Sequence, residues 1–243
     1  MILKVLGCGD AFGSEGRFNT AFLLKGITKN ILVDCGASTL IRMKQEGISP
    51  LDIDVIVLTH FHGDHFGGIP FQMISNKIEY QRNKPLTIWG PTGVKEKVIM
   101  LQEVMYPGTG VLFEELKVTF KEFVAEAWIG FGDIEVYVKE VLHSPPSHPH
   151  GVKIKFEDKI FAFSGDTEWT DNLVDLADNS DLFICECNNL TADSLGHLSY
   201  KTLQAKKAFF NTRRLMINHM GAEVIRAENL EIDRLEDGME VEF

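Results

Sequence analysis

The sequence has few cysteines, no long apolar run and a shortage of basic residues. Its four cysteines, Cys8, Cys35, Cys185 and Cys187, are scattered over 243 residues, which excludes a disulfide framework and predicts a reduced, cytoplasmic protein. No apolar run reaches the roughly 18 residues that span a bilayer. The N-terminal run Ile2–Leu6 has the length of a strand and no cleavage site behind it, so we expect neither a membrane span nor a secretory signal.

Basic residues are outnumbered, with 24 Lys and Arg against 35 Asp and Glu, giving a net charge of −11. This balance argues against a general polyanion-binding surface. The contents of 44% hydrophobic and 24% charged residues are ordinary for a globular protein and exclude disorder. No linker rich in Pro, Gly or Ser divides the chain, so residues 1–243 are predicted to form one domain.

Strand and helix patterns alternate without a repeat. Val152–Phe156 alternates strictly, as a strand with one buried face does, whereas Val55–Leu58 is continuously apolar and suits a strand covered on both faces. Asp237-Gly238 between two short apolar runs predicts a final hairpin. The glycine-containing segment 107–132 predicts a lid or an inserted arm. Strands are predicted at Ile2–Leu6, Thr20–Leu24, Ile31–Asp34, Val55–Thr59, Leu86–Trp89, Ile134–Val141, Val152–Phe156, Ile160–Ser164, Leu182–Cys185 and Leu215–Asn218, and helices at Ser38–Glu46, Thr92–Met105, Ser199–Asn211 and Ala222–Asn229.

The most informative segment directly follows the apolar strand and contains His60, His62, Asp64 and His65. Imidazole and carboxylate groups are ligands of first-row metals. In an extended chain the side chains of His60 and His62 project to one side, while Gly63 permits a sharp turn that aims the next two ligands at a second point. We infer that one segment supplies parts of two adjacent metal sites. The alternative is a solvated histidine-rich loop.

The pattern His-x-His-x-Asp-His after a hydrophobic strand resembles the metallo-β-lactamase superfamily. Asp34 at a strand end, the Gly-Asp-Thr segment at Asp166 and the late strand that ends at His219 resemble further motifs of that superfamily. The resemblance implies an α/β fold, the four-layer αββα sandwich, and a dinuclear metal site. It assigns His60, His62 and His143 to one ion, Asp64, His65 and His219 to the other, and Asp166 to a bridging position. Asp34 is expected to support a ligand rather than to bind metal.

The third histidine of the first site must come from a Pro-rich stretch that contains three histidines. We favour His143 because it directly follows the predicted strand Ile134–Val141. His148 and His150 lie farther along the loop. Each of them is expected either to contact substrate or to be an exposed loop histidine, so the choice among the three stays open here.

Within the superfamily the chain resembles the ribonuclease Z branch of phosphodiesterases. The segments Gly7–Asp10 and Arg17–Thr20 resemble the opening of that branch, and Trp89–Gly93 resembles its strand-to-helix turn. Glu186 and His197 match its Glu and its non-metal catalytic His. Two positions differ: Cys185 stands where the branch has a His, and Leu198 interrupts its His-Ser-Thr pattern.

The expected reaction is hydrolysis of a phosphodiester by a hydroxide shared between two divalent ions. Zinc is the expected metal, with manganese and iron as alternatives. Paired ions lower the pKa of a shared water toward neutrality and polarise the ester. Asp64 is expected to orient the nucleophile. His197, held by Glu186, is expected to protonate the leaving oxygen or to stabilise the phosphoryl group.

The substrate is expected to be a small or cyclic nucleotide or an RNA 3′ end. RNA is disfavoured by the net charge and by segment 111–128, which holds two lysines against four glutamates. The alternatives are a hydrolase of a carboxylic ester, thioester or lactone, and a non-catalytic metal-binding sensor. No membrane partner is expected, and the resemblance implies a homodimer.

Overall fold

The computed structural model describes residues 1–243, which form two seven-stranded β-sheets with helices on their outer faces. The first sheet has the order β14-β1-β2-β3-β4-β5-β6 and the second β13-β12-β11-β10-β9-β8-β7. The first sheet contains β1 (Ile2–Gly7), β2 (Ala21–Lys25), β3 (Asn30–Val33), β4 (Val55–Val57), β5 (Leu86–Gly90), β6 (Val118–Glu122) and β14 (Glu240–Glu242). The second contains β7 (Ile129–Phe131), β8 (Ile134–Glu140), β9 (His150–Phe156), β10 (Lys159–Phe163), β11 (Leu182–Glu186), β12 (Leu215–Asn218) and β13 (Asp233–Arg234).

The helices are short. They are α1 (Thr39–Gln45), α2 (Gly63–Phe66), α3 (Ile69–Ile78), α4 (Val94–Met105), α5 (Leu112–Glu115), α6 (Asn172–Ala177), α7 (Tyr200–Lys206) and α8 (Ala222–Arg226). None of them combines the length and apolar character that crossing a bilayer requires. The treatment of the chain as one domain stays a prediction.

The alternation of side chains along the strands builds the layers. On β2, Phe22 enters the core shared by the two sheets, whereas its neighbour Leu23 enters a second core beneath the helices of the first sheet. The ring of Phe22 meets the rings of Phe161 and Phe163 on β10, with centroids 6.2 and 5.1 Å apart. A sheet buried on both faces explains why the first-sheet strands are apolar throughout. The predicted αββα sandwich is confirmed.

The candidate site lies where neighbouring parallel strands end. In the first sheet β3, β4 and β5 run parallel, and in the second β10, β11 and β12 do so. The carboxyl ends of parallel strands share one edge of a sheet, so the loops that follow them lie close together. The polar segments after β3, β4, β10 and β12 are therefore brought to one place by the topology.

The predicted C-terminal hairpin is wrong. β13 pairs with β12 in the second sheet, whereas β14 pairs with β1 in the first. The intervening turn crosses from one sheet to the other, and the carboxylate of Asp237 accepts the backbone N–H groups of Cys8 and Phe18 at 3.0 and 2.9 Å. Gly238 has φ +85°, a left-handed conformation that favours glycine. The turn was thus recognisable, but its strands find partners through tertiary contacts.

Segment 107–132 is neither a lid nor an arm. Its α5 packs against α3 and β6, β6 completes one edge of the first sheet, and β7 forms an edge of the second. The segment is the connection between the sheets. Helices α2, α3, α5 and α6 were not predicted. In α3 the buried polar residues Gln72 and Asn76 weaken the apolar pattern. The predicted helix at Ser199–Asn211 is shorter, since α7 ends at Lys206 and a 3₁₀ turn follows it.

Candidate metal centre

Three histidines converge at the end of β4. The chain stays extended through His62, and α2 begins at Gly63. His62 Nδ1 lies 3.2 Å from His60 Nε2 and 2.9 Å from His143 Nε2. Burial, together with the charge of neighbouring His65, lowers the pKa of His60 well below its ordinary value. A neutral imidazole is the form that binds a metal, so these three nitrogens form a first potential ligand group.

A second group contains Asp64, His65, Asp166 and His219. His65 Nε2 lies 3.1 Å from Asp64 Oδ2 and 3.3 Å from Asp166 Oδ2. His219 Nε2 lies 3.3 and 3.2 Å from the same two oxygens. Two imidazoles and two carboxylates around one point match the donor set of a first-row divalent ion.

Asp166 faces both groups. Its Oδ2, which contacts the imidazoles of the second group, is also 3.9 Å from His60 Nε2 and 3.9 Å from His143 Nε2 in the first. The side chain is only 2% exposed. A single buried carboxylate oxygen therefore lies between the two ligand groups.

The hydrogen bonding of the cluster is incomplete without a ligand. His65 Nε2 and Asp166 Oδ1 are buried and make no well-aligned hydrogen bond, although carboxylate oxygens lie 3.1 and 3.3 Å from His65 Nε2. Leaving such an atom unsatisfied costs about 1–3 kcal/mol. The centre thus contains five imidazoles and two carboxylates, and some of their buried polar atoms lack a hydrogen-bond partner. This set of ligands fits two divalent ions.

Charge within the second group shifts its protonation. Burial lowers the pKa of His219, but the carboxylates of Asp166 and Asp64 outweigh burial and raise that pKa to about 9. Burial also raises the pKa of Asp64, but the imidazoles of His65 and His219 hold it below its usual range. Without metal these groups form imidazolium–carboxylate pairs. A divalent ion would replace those protons.

Asp34 braces the histidine-rich segment from behind. Its Oδ2 accepts a hydrogen bond from His65 Nδ1 at 2.7 Å, and Oδ1 accepts the backbone N–H of Thr59 at 2.8 Å. The Thr59 hydroxyl lies 2.9 Å from His60 Nδ1. Asp34 therefore fixes the orientation of the His65 imidazole and supports His60 through Thr59, on the side away from the ligand atoms.

The structure distinguishes the three histidines of the Pro-rich loop. His143 Nε2 faces His62, while its Nδ1 contacts the Gly196 carbonyl at 2.8 Å. His148 is outside both ligand groups, with its ring 5.9 Å from that of Phe61. His150 is also outside them, and its Nδ1 donates to the His148 carbonyl at 2.8 Å. The arrangement agrees with the preference for His143.

Two residues that hold His143 in place, Gly196 and Glu168, were not among the predicted site residues. The Gly196 carbonyl accepts from His143, and the Gly196 N–H donates to Glu168 Oε1 at 2.8 Å. Gly196 has φ +80°, and a Cβ there would lie 2.5 Å from His143 Nδ1. The position therefore requires glycine. The only signal in the sequence was a glycine immediately before His197.

Glu186 and His197 lie beside the ligand groups. Glu186 is fully buried, and its Oε1 contacts His197 Nδ1 at 3.0 Å and accepts the Thr167 N–H. The His197 ring is 4.9 Å from that of His143 and stacks on that of His219 at 5.4 Å. Burial lowers the pKa of His197, but the hydrogen bond and charge of Glu186 outweigh it and raise that pKa.

Cys185 and Cys187, on and just after β11, do not join the ligand groups. Both are buried, and burial raises the pKa of the Cys185 thiol well above its ordinary value. Both thiols are therefore protonated, core-filling side chains.

Solved structures share this architecture. The metallo-β-lactamase fold protein YhfI from Bacillus subtilis superposes with a TM-score of 0.80 at 18% identity, covering 99% of each chain. The short form of human tRNase Z superposes with a TM-score of 0.78 at 21% identity, covering 100% of this chain and 99% of the other. These likenesses confirm the fold.

Curated relatives carry the name ribonuclease Z. The protein from Clostridium beijerinckii is 35% identical over 59% of this chain and 46% of its own length. That from Agathobacter rectalis is 24% identical over 93% of this chain and 89% of its own length. The chain thus spans about half of the first relative and most of the second. These likenesses confirm the predicted resemblance to the metallo-β-lactamase superfamily and to its ribonuclease Z-like branch.

One family matches nearly the whole chain. The family described as anti-Pycsar protein Apyc1 matches residues 1–227, which include all the candidate ligands together with Glu186 and His197. The chain belongs to the anti-Pycsar protein Apyc1 family.

Proposed function

We propose that this chain is a dinuclear metal-dependent phosphodiesterase that acts on a small phosphodiester such as a cyclic nucleotide. The observation that carries the proposal is the position of Asp166, whose Oδ2 faces both ligand groups at 3.2–3.9 Å. A carboxylate placed in this way suits two adjacent ions, of which zinc is the expected identity.

The roles of the ligands follow from the two groups. His60, His62 and His143 would hold one ion, Asp64, His65 and His219 the other, and Asp166 would contact both. Two bound ions supply Lewis acidity and generate a nucleophile from water at neutral pH. The carboxylate of Asp64, besides holding the ion, would accept a hydrogen bond from the nucleophile and so orient it.

His197 is proposed to donate a proton to the leaving oxygen. Its Nδ1 contacts Glu186, which leaves Nε2 free to face substrate. The raised pKa of His197 favours the protonated, donating form. Glu186 positions the ring, because three other groups, the backbone N–H groups of Thr167, Asn188 and Leu198, fix its carboxylate.

A small substrate is supported by the lack of a basic arm. Segment 111–128, the best candidate for an arm, is folded along the sheets, and Lys121 lies over the rings of Trp89 and Phe131 at 5.4 and 4.8 Å. Gripping tRNA requires several free basic groups close together. RNA is the second candidate, favoured by the name of the curated relatives.

One preparation of metal-loaded protein tests these alternatives. We expect turnover of bis(p-nitrophenyl) phosphate and a 3′,5′-cyclic nucleotide, with weak, salt-sensitive binding of precursor tRNA. His197→Ala should lower turnover and leave the metal content unchanged. Tight tRNA binding at physiological salt with cleavage at the 3′ end would replace the small substrate with RNA. Turnover of only a thioester or lactone would overturn the phosphodiesterase proposal, and failure of every ester would favour the sensor.

The homodimer and the cytoplasmic location stay predictions. Light scattering after size-exclusion chromatography would test the dimer, and fractionation of cells expressing the full chain would test the location.

A further inference from the structure

A cleft of about 480 Å³ opens beside the candidate metal centre. Its walls come from the loops after β5 and β6 and from the Pro-rich loop between β8 and β9. The cleft shares His143 with the first ligand group, and its other lining residues include Thr92, Phe123, Leu142, His148 and His150. Its size lies within the roughly 300–1,000 Å³ of small-molecule pockets.

Two ring systems form a firm wall of this cleft. The rings of Phe123 and His150 pack edge to face, with centroids 5.5 Å apart at 60°. The Phe123 N–H donates to the Gly90 carbonyl at 2.8 Å, and the His150 N–H donates to the Thr59 carbonyl at 3.2 Å. Thr59 immediately precedes His60, so the wall is attached to the segment that carries the ligands.

The chemistry of the lining suits an uncharged aromatic group. No lysine or arginine lines the cleft, and its one carboxylate, Glu140, would repel a further phosphate. The Nδ1–H of His150 is used by the His148 carbonyl, and burial lowers the pKa of His150, so its ring is neutral. Aromatic and neutral imidazole faces stack on heterocyclic bases, and every base offers such a face.

We propose that this cleft binds the nucleobase of a nucleotide whose phosphodiester lies at the metal centre. The inference rests on the proposed function, and it adds the place and the chemistry of base recognition. Since His143 belongs to both the cleft and the first ligand group, a base in the cleft lies next to its own phosphate. Recognition by ring faces separates nucleotides from base-free phosphodiesters more strongly than it separates one base from another.

The test compares two substrates that differ only in the base. These are a 3′,5′-cyclic nucleotide and the same cyclic ribose phosphate without a base, each assayed by phosphorus NMR with metal-loaded protein. In His150→Ala the ratio of their kcat/KM values should fall about tenfold, the loss of one stacking contact. His150→Phe keeps a ring face and should restore most of that ratio. The control is Phe209→Ala, which removes a ring from a separate cleft lined by Trp128 and Tyr137 and should leave the ratio unchanged.

Nucleoside binding gives a readout that does not depend on catalysis. Saturation-transfer NMR should detect an uncharged nucleoside on the wild type and on His150→Phe, and a weaker signal on His150→Ala. An unchanged substrate ratio and unchanged nucleoside binding in His150→Ala would overturn the inference. If the wild type hydrolyses neither phosphodiester, the proposed function fails, while loss of nucleoside binding in His150→Ala would still support the base-binding cleft.

Discussion

The ligands of the candidate metal centre come from two kinds of structure. His60, His62, Asp64 and His65 lie in one continuous segment that runs from the end of β4 into α2. His143, Asp166 and His219 lie far apart in the sequence and each follows a different strand of the second sheet. The continuous segment is local and braced by Asp34, whereas the strand-end ligands are brought together only when the second sheet has formed.

This difference has a consequence for metal binding. A continuous segment keeps its ligands near one another even before the chain folds, so it loses less entropy on binding an ion. The strand-end ligands contribute only in the folded state, and metal bound by them stabilises the fold. Asp166 faces both ligand groups of the metal centre, so its loss should weaken metal binding in both.

The largest effect is expected from Asp166→Asn. The amide keeps the shape but loses the charge that faces both ligand groups, so metal content should fall from about two ions per chain toward none, and activity with it. His62→Ala removes a ligand from one group only and should retain close to one ion. Elemental analysis after dialysis measures both. Two retained ions in Asp166→Asn would remove Asp166 from the centre, and His148→Ala is the control with full metal content.

The second prediction concerns His143, one of the three strand-end ligands. In Gly196→Ala the new Cβ would lie 2.5 Å from His143 Nδ1, so His143 must move and turnover should fall by about 100-fold, as expected for displacement near 1 Å. Gly108 has the same φ of +80° with no atom within 4 Å of an added Cβ. Gly108→Ala therefore reproduces the backbone strain without the clash. Equal losses of activity in both variants would attribute the effect to strain.

The difference between the continuous segment and the strand-end ligands also explains how much of the site could be predicted from the sequence. The His60–His65 segment was interpretable from residue types and spacing, because its chemistry is local. His143, Asp166 and His219 required the family resemblance. The Pro-rich loop offered three alternatives, which the contacts of His143 with His62 and Gly196 distinguish.

What the sequence did not reveal has physical causes. The hairpin prediction failed because the pairing of β13 and β14 depends on distant strands. Glu168 was missed because its role is a contact with a backbone N–H 28 residues away, and a backbone partner has no sequence signature. The core layers were predictable in outline, because strands that are buried on both faces consist almost entirely of apolar residues.

A smaller effect on metal affinity is expected from Asp34→Asn, which acts on the continuous segment. Asp34→Asn removes the charge behind His65 while keeping the polar contact to Thr59, so it weakens the orientation of one ligand. Metal affinity should fall about tenfold, the low end for loss of a supporting carboxylate. A chelator competition assay measures it. A complete loss of metal would mean that Asp34 does more than orient His65, and no loss would mean that packing alone holds the ring.

The smallest effect is a change in stability with pH that distinguishes His219 from His60 in metal-free protein. His219 has a folded pKa of about 9 because Asp166 and Asp64 outweigh its burial, against about 6.5 in an unfolded chain. A raised pKa contributes stability fully below pH 6.5 and loses it as pH rises through 9, so the free energy of unfolding in chelator should decline over this range. The part due to His219 is on the order of 3 kcal/mol.

Two variants assign that decline to the residues. His219→Gln should make the decline smaller, since one titrating group is gone, while His65 and His197, whose pKa values are also raised by neighbouring carboxylates, remain. His60→Gln should decline like the wild type, because burial keeps the pKa of His60 well below 6.5 and its protonation does not change above that value. Urea unfolding at pH 6.5 and pH 9 measures both. A flatter decline in His60→Gln than in His219→Gln would reverse the assignment, placing a protonated imidazole at His60 instead of at His219.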